Sequence, residues 1–432
     1  MRAIFHTLAT IAVGQGAQIL AGIATARAFG PAGKGIISYA GVFIAFASAA
    51  TEGLRNALAY RIGHDVPVRT AWRSALRFLG FLAPLGSLVF VALWIADPTQ
   101  IAFIFVAIVF PFAAFLQTVN MLYLVRHAIE RINVQNAFTV GAGSALVTVV
   151  AVVFFHANVP TVLGIWAAGF VLASVWAAWG APKLLGPREP LAARKEPGAL
   201  SAREQFIFAV KGGSSAMLTL LALRVDILIV GATLSKTSLG VYTTALAVGE
   251  LLLTLSRSVT WATTGRIATE SRADAIALTA RVVRLLLSAQ ALAALMIFAV
   301  GPFAIGLLYG GRFVASGVLL RILLARIVVY SADGVISYFI SVREGRPGIQ
   351  LAFEAGTLVL CATLTYLAIK PYGLEGAAIA ATTAFVIAFF AKLAYFVRVT
   401  GVSWRDVLVL RYSDVPVAAR AKVSALFRRT PA

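Results

Sequence analysis

Long apolar runs separated by short polar connections make up nearly the whole chain. An α-helix needs about 20 mostly apolar residues to cross a bilayer, and more if it is tilted. We therefore predict an all-α polytopic membrane protein. Its twelve spans lie at approximately 4–28, 36–60, 76–96, 101–125, 133–156, 160–181, 206–233, 239–262, 282–308, 314–341, 349–369 and 374–398.

The basic residues alternate between the two sets of connections. If Met1 is cytoplasmic, the inner connections and termini hold 25 Lys and Arg residues, whereas the outer connections hold four. These four are Lys34, Lys236, Arg312 and Lys370. Cytoplasmic loops carry the excess of positive charge in membrane proteins. We therefore expect an even number of spans and both termini in the cytoplasm.

Matching positions in the two halves indicate an internal repeat. Gly35 and Gly240 open the second and eighth spans, and Arg61 and Arg266 follow the ends of the same spans, each pair 205 residues apart. Chance similarity between apolar runs is the alternative explanation. Duplication predicts two six-helix lobes, 1–181 and 206–400, related by a parallel repeat with a pseudo-two-fold axis along the membrane normal. A proline-rich cytoplasmic linker, 182–205, joins them, and a basic cytoplasmic tail, 401–432, follows.

The composition excludes several classes of protein. Hydrophobic residues make up 60% of the chain and charged residues only 12%, so a soluble domain could not bury its apolar surface. The net charge of +20 reflects topology, because no basic domain stands apart to bind nucleic acid. Cys361 is the single cysteine and can form no intrachain disulfide. The sequence contains no metal-ligand spacing and no phosphate-binding loop, so we expect no metal, no cofactor and no ATP hydrolysis.

Polar and cationic residues inside the apolar spans are the candidate functional residues. A charge at the centre of a membrane helix costs roughly 2.5–3.5 kcal/mol on insertion scales, and such residues usually face a cavity or a partner. We expect a cationic and polar substrate cavity formed by Arg27, Arg55, Lys211, Arg224, Arg257, Arg321, Arg326, Gln18 and Asn120. Pairing between helices is the alternative for each of them. For Arg55 that partner would be Glu52, and Arg27 and Arg257 could instead snorkel to an interface.

Four carboxylates also lie within the spans: Asp226, Glu250, Asp333 and Glu354. They are candidates for proton or sodium coupling, and each could also be a structural counter-ion.

Four stretches carry a resemblance to a known family: Arg27–Gly35, Arg224–Asp226 with Gly240–Tyr242, Leu307–Phe313, and Tyr372–Ala380. With these stretches the chain resembles the polysaccharide flippases of the MOP exporter superfamily, which move O-antigen or exopolysaccharide repeat units. The resemblance runs over nearly the whole chain and implies an undecaprenyl-pyrophosphate-linked oligosaccharide as substrate. It also implies a location in the bacterial inner membrane, membrane lipid and other glycan-assembly membrane proteins as partners, and transport by alternating access between the lobes.

Three other functions compete with this one. A cation-coupled drug exporter of the same superfamily would favour acidic groups in its cavity, whereas here basic residues match or outnumber carboxylates in several spans. A lipid-II-type flippase also handles a polyprenyl-pyrophosphate sugar. A membrane glycan polymerase or ligase would need a substantial outer loop for its catalytic groups, and every predicted outer loop is short.

Overall fold

The computed structural model describes residues 2–63, 66–126, 128–138, 142–185 and 202–411. The prediction of an all-α protein is confirmed, since the described residues form helices joined by short turns. The helices are α1 (Arg2–Gly63), α2 (Val68–Ala96), α3 (Ile101–Val125), α4 (Ile129–Phe138), α5 (Ala142–Phe155), α6 (Val159–Gly180), α7 (Ala202–Thr233), α8 (Lys236–Glu250), α9 (Leu253–Thr269), α10 (Arg272–Tyr309), α11 (Val314–Tyr338), α12 (Pro347–Thr400) and α13 (Trp404–Leu408). Short 3₁₀ turns lie at Ala181–Leu184 and Gly311–Phe313, and a π-helical turn lies at Phe339–Arg343.

The described helices account for the twelve predicted spans. Eight of them are long and apolar enough to cross a membrane. Two of the eight, α1 and α12, break at a glycine and so provide two segments each. The pairs α4 with α5 and α8 with α9 occupy the two remaining predicted spans. The linker residues 186–201 and the tail residues 412–432 lie outside the described residues.

Two connections predicted as loops are single-residue breaks. In α1 only Gly30 is non-helical, with φ 67° and ψ −170°, so the predicted loop 29–35 is wrong. Pro31 starts the next segment, where its fixed φ and missing N–H suit the first turn of a helix. In α12 only Gly373 is non-helical, with φ 57°. Glycine has no Cβ to penalise a positive φ, which lets each reversal occur within one residue.

The eighth predicted span is not one continuous helix. Instead of a helix over 239–262, α8 ends at Glu250 and α9 begins at Leu253. The carbonyl of Leu252 accepts a hydrogen bond of 2.8 Å from Nε2 of Gln290, a buried residue of α10. A side chain of α10 therefore contacts the backbone at the break between α8 and α9.

The chain divides into two compact units. The first comprises Met1–Thr244 and Ile305–Val314, and the second comprises Ala245–Ala304 and Ala315–Ala432. In the first unit α1 packs mainly against α7, α3 and α5. The ring centroid of Phe43, on α1, lies 5.3 Å from the ring centroids of both Phe90 and Phe103. These units are defined by spatial proximity, whereas the predicted lobes rest on the sequence repeat, and the lobes stay a prediction.

The second unit has its own apolar core. Side chains of α10, α11 and the second segment of α12 form it, among them Val283, Val335, Phe389 and Phe396. Many large apolar side chains are exposed on the surfaces of both units. Exposed apolar surface on this scale suits a lipid environment and would be unusual in a soluble monomer.

Several turns predicted to be on the outer side meet at one end of the first unit. Nζ of Lys236 donates to the carbonyl of Thr99 at 2.8 Å, joining the α7–α8 and α2–α3 turns. A Cβ built on Gly33 would lie 3.0 Å from the side chain of Val159, so the α5–α6 turn lies there as well. At the same end, the Thr99 hydroxyl donates to Asp97 at 2.6 Å and lowers the pKa of that carboxyl. Grouping of these turns at one end is what alternating spans require.

Candidate functional site

A cavity of about 270 Å³ lies in the first unit between α1, α5 and α6. Both segments of α1 contribute to it because the chain reverses at Gly30. The reversal brings the side chain of Lys34 back along the first segment, where its Nζ lies 3.4 Å from a Cβ built on Gly22. The polar and aromatic lining consists of Gln18, Thr25, Lys34, Ser144, Thr148, Trp166 and Phe170.

The ammonium of Lys34 has no hydrogen bond or ion pair to any residue that the structure describes. An uncompensated cation away from bulk water is costly, and an anionic ligand would relieve that cost. The hydroxyls of Thr25 and Thr148 each donate to their own helix, at 2.7 Å, and keep acceptor capacity toward the cavity. With the flat indole of Trp166, the lining suits a ligand that combines negative charge with hydroxyl groups.

Sequence reasoning found part of this cavity. Gln18, a predicted cavity residue, lines it together with Gly22 and Thr25 of the same helix. Lys34 was expected in an outer connection and Trp166 was not among the predicted cavity residues, so both were missed. The available signal was Gly30-Pro31, since a break followed by a helix start places Lys34 one turn into the next helix.

A buried ion cluster lies in the second unit. Lys392, on the second segment of α12, is 2% exposed. Its Nζ lies 2.7 Å from Oδ1 of Asp333, 2.9 Å from Oγ of Ser337 and 3.3 Å from Oε1 of Glu354. Nε2 of Gln350 donates to the same Glu354 oxygen at 2.7 Å. The structure therefore brings together two of the four predicted carboxylates, with a lysine between them.

Lys392 was also missed by sequence reasoning. It was included in the apolar twelfth span without a role. Its position in the middle of that span was the signal, since a cation there needs a partner. The polar pair Asp333 and Ser337, one turn apart on α11, supplies that partner.

Two predicted arginines lie on α11 and contact protein groups, and the predicted Asn120 lies on α3. Arg326 is 2% exposed, and its guanidinium carbon lies 4.1 Å from the ring centroid of Phe385. Arg321 is exposed, stacks over Phe298 and donates to its carbonyl at 3.1 Å. Asn120 is half-buried, and its Oδ1 accepts no hydrogen bond within the described part of the chain.

Three further predicted cations lie elsewhere. Arg27 is exposed and donates to the carbonyls of Leu307 and Leu308, at 2.6 and 2.8 Å, at the C-terminal end of α10. A cation there satisfies orphan carbonyls and complements the helix dipole. Arg55 forms the expected ion pair with Glu52, at 2.7 Å. Arg257 is exposed, and the side chain of Lys211 lies outside the described residues.

The two remaining carboxylates belong to different units. Asp226 is fully buried in the first unit and accepts a hydrogen bond of 2.7 Å from the hydroxyl of Tyr242. Arg224, two residues earlier on α7, is half-buried. Glu250 ends α8 in the second unit and is also half-buried.

Comparison with solved structures identifies proteins that share the fold of this chain. No protein-family model matches the sequence, and no curated protein matches it. Solved structures do match. An inward-facing multidrug resistance MATE family transporter of the MOP superfamily has a TM-score of 0.64 at 15% identity, covering 99% of this chain and all of that one. The lipid II flippase MurJ, in an inward closed conformation, has a TM-score of 0.65 at 13% identity, covering 99% and 94%.

The chain has the fold of these transporters. A second MATE structure, solved in complex with a bound molecule, agrees with a TM-score of 0.64 at 16% identity over 92% of this chain. At these identities the likeness establishes the helical fold of a multi-pass membrane protein, and the expected architecture is confirmed to that extent. Substrate and direction of transport are separate questions.

Proposed function

We propose that this chain is a flippase of the MOP superfamily that moves polyprenyl-pyrophosphate-linked oligosaccharide repeat units across the bacterial inner membrane. The observation that carries the proposal is the Lys34 cavity. It offers one ammonium that has no partner among the described residues, together with hydroxyl, amide and indole groups. A pyrophosphate supplies the anion, and the attached sugars supply hydroxyls and a ring face.

The size of the cavity limits what it holds. Pockets for drug-sized ligands measure about 300–1,000 Å³, so a cavity of about 270 Å³ takes part of a head group. The polyprenyl tail would remain in the surrounding lipid. The fold shared with the lipid II flippase MurJ supports this substrate class, because the name of that protein states a lipid-linked substrate. The product would be a surface glycan such as O-antigen or exopolysaccharide.

The proposed cycle is alternating access between residues 1–181 and 206–400. The head group would enter from the cytoplasmic side and leave toward the outer leaflet. Among the predicted cations, Arg224 and Arg326 are the deepest in their spans. We expect them to contact the head group while it crosses the membrane. Asp226 and Glu250 are the proposed candidates for proton or sodium coupling.

Drug export is the second candidate, because MATE structures match as well as MurJ does. An exporter of organic cations needs anionic or aromatic groups to hold its cargo. The Lys34 cavity instead places an ammonium where that cargo would bind, and the described residues that line it include no carboxylate. That charge favours an anionic cargo.

Reconstitution into liposomes tests the proposal. The full chain should move a labelled polyprenyl-pyrophosphate oligosaccharide between leaflets without ATP and without changing its mass. The matched experiment offers a fluorescent organic cation to the same vesicles and should show no export. Export of the cation without movement of the lipid-linked sugar would identify a drug exporter, and a product with longer glycan chains would identify a polymerase.

A further inference from the structure

The ammonium of Lys392 is fully coordinated inside the second unit. An ammonium has three hydrogen-bond donors, and three side chains receive them: Asp333, Ser337 and Glu354. All donor–acceptor distances are 3.3 Å or less, and the ammonium lies almost entirely away from the surface. The contacts are therefore those of a coordinated cation that is attached to the chain.

The two carboxylates need a cation between them. Asp333 lies on α11 and Glu354 on the first segment of α12, so they converge from different helices. Two buried carboxylates repel each other strongly unless a positive charge lies between them. Carboxylate and hydroxyl oxygens are also the ligands that hard metal cations prefer.

The break at Gly373 explains how Lys392 comes to lie beside Glu354 of the same helix. The second segment of α12 begins after that residue, and Lys392 lies on it, whereas Glu354 lies on the first segment. One long helix with a single-residue break thus supplies both an anion and its cation to the same cluster. The third member, Asp333 with Ser337, comes from α11.

We propose that Lys392 is a built-in cation that occupies the position an alkali metal ion would take between Asp333 and Glu354. The native protein then binds no sodium or potassium at these carboxylates, and they take no part in sodium coupling. Removal of the amine should open a latent site for a small monovalent cation. This proposal depends only on contacts within the second unit and is independent of the transported substrate.

Thermal unfolding of the purified full chain in detergent tests it. Melting temperatures are compared in sodium, potassium, ammonium and choline chloride at equal ionic strength. The native protein should melt at the same temperature in all four. Lys392→Ala should melt about 10 °C lower in choline, because an unpaired buried carboxylate pair is strongly destabilising. Sodium, potassium or ammonium should restore much of that loss with saturation, whereas choline is too large to enter.

Two controls separate the cation site from general damage. Lys392→Met removes the charge but fills the space, so its low melting temperature should not recover with any cation. Lys370→Ala removes an exposed lysine of the same helix, whose ammonium lies over Tyr366, and should behave like the native protein in all four salts.

The proposal is overturned if sodium stabilises the native protein and Asp333→Asn abolishes that effect, because the carboxylates would then already bind sodium. It is equally overturned if no small cation restores Lys392→Ala. Should Lys392→Ala fail to fold, the comparison of the native protein with Asp333→Asn still decides. No transported substrate enters these measurements, so their failure is distinct from a failed flippase assay.

Discussion

Lys34 and Lys392 both lie in apolar helices, but their environments are opposite. Lys392 gives all its donors to side chains of its own unit, whereas Lys34 gives none to the described residues and faces a cavity. A satisfied buried cation supports the fold, and an unsatisfied one is a cost that a ligand can offset. Loss of the two amines should therefore have different consequences.

The first residue-scale prediction concerns Lys34→Ala. Leaflet-to-leaflet movement of the pyrophosphate-linked glycan should fall by about 10- to 100-fold, since hydrogen bonds to a charged group contribute about 1.5–3 kcal/mol. The melting temperature should stay the same or rise, because the change removes a cation that has no partner among the described residues. Lys34→Arg should retain part of the activity. Normal transport by Lys34→Ala at native protein levels would exclude this residue as a substrate ligand.

Sequence could identify these cations only incompletely. Charge within an apolar span marked Arg224 and Arg326 as candidates, and Arg326 is indeed almost fully buried. It could not separate a cation stacked on an aromatic ring, as Arg326 is on Phe385, from one that faces a cavity. That distinction depends on which helices become neighbours, and a single sequence does not record it.

At the scale of elements, the approach of α1 and α8 depends on two glycines. A Cβ built on Gly240 would lie 1.8 Å from the carbonyl oxygen of Pro31. A Cβ built on Gly35 would lie 2.3 Å from the carbonyl oxygen of Lys236. Small residues allow helices to approach closely in membranes, where van der Waals contact drives association. The two helices therefore meet backbone to backbone.

Gly240→Ala is the prediction at this scale. The added methyl group must separate α1 from α8, and overpacking of this kind typically costs about 1–3 kcal/mol. The matched control is Gly164→Ala in α6, where a Cβ meets nothing within 4 Å. Thermal unfolding in detergent should show a clear loss for Gly240→Ala and none for the control. Equal melting temperatures for the two variants would contradict the close contact.

Helix number and type followed from the apolar runs, but the ends of the helices did not. Gly30 and Gly373 let the chain reverse within one residue, so hydropathy overestimated both connections. The break after Glu250 has no proline to indicate it. The side chain that contacts it, Gln290, is 38 residues away from Leu252, to whose carbonyl it donates. Such a long-range partner cannot be inferred from local pattern.

For the whole molecule, the α1–α8 contact bears on the predicted repeat. The offset of 205 residues that relates Gly35 to Gly240 also relates Pro31 to Lys236. Gly35 meets the carbonyl of Lys236, and Gly240 meets the carbonyl of Pro31. In a two-fold contact residue i meets j and the equivalent of j meets the equivalent of i. This reciprocity supports a pseudo-two-fold axis near the two glycines. With an even number of predicted spans in each half, such an axis would relate two halves inserted in the same orientation.

The same repeat makes a topology prediction that cysteine labelling can check. The native Cys361 is fully buried, so single cysteines can be added without removing it. In intact spheroplasts a membrane-impermeant maleimide should label Lys370→Cys, an exposed site in the turn before Gly373, and also Lys236→Cys. It should label Lys195→Cys, in the predicted linker, only after lysis. The unsubstituted protein is the control and should stay unlabelled.

Labelling of Lys195→Cys in intact spheroplasts would place the linker outside the cytoplasm and contradict the positive-inside assignment. It would also remove the basis for two lobes inserted in the same orientation.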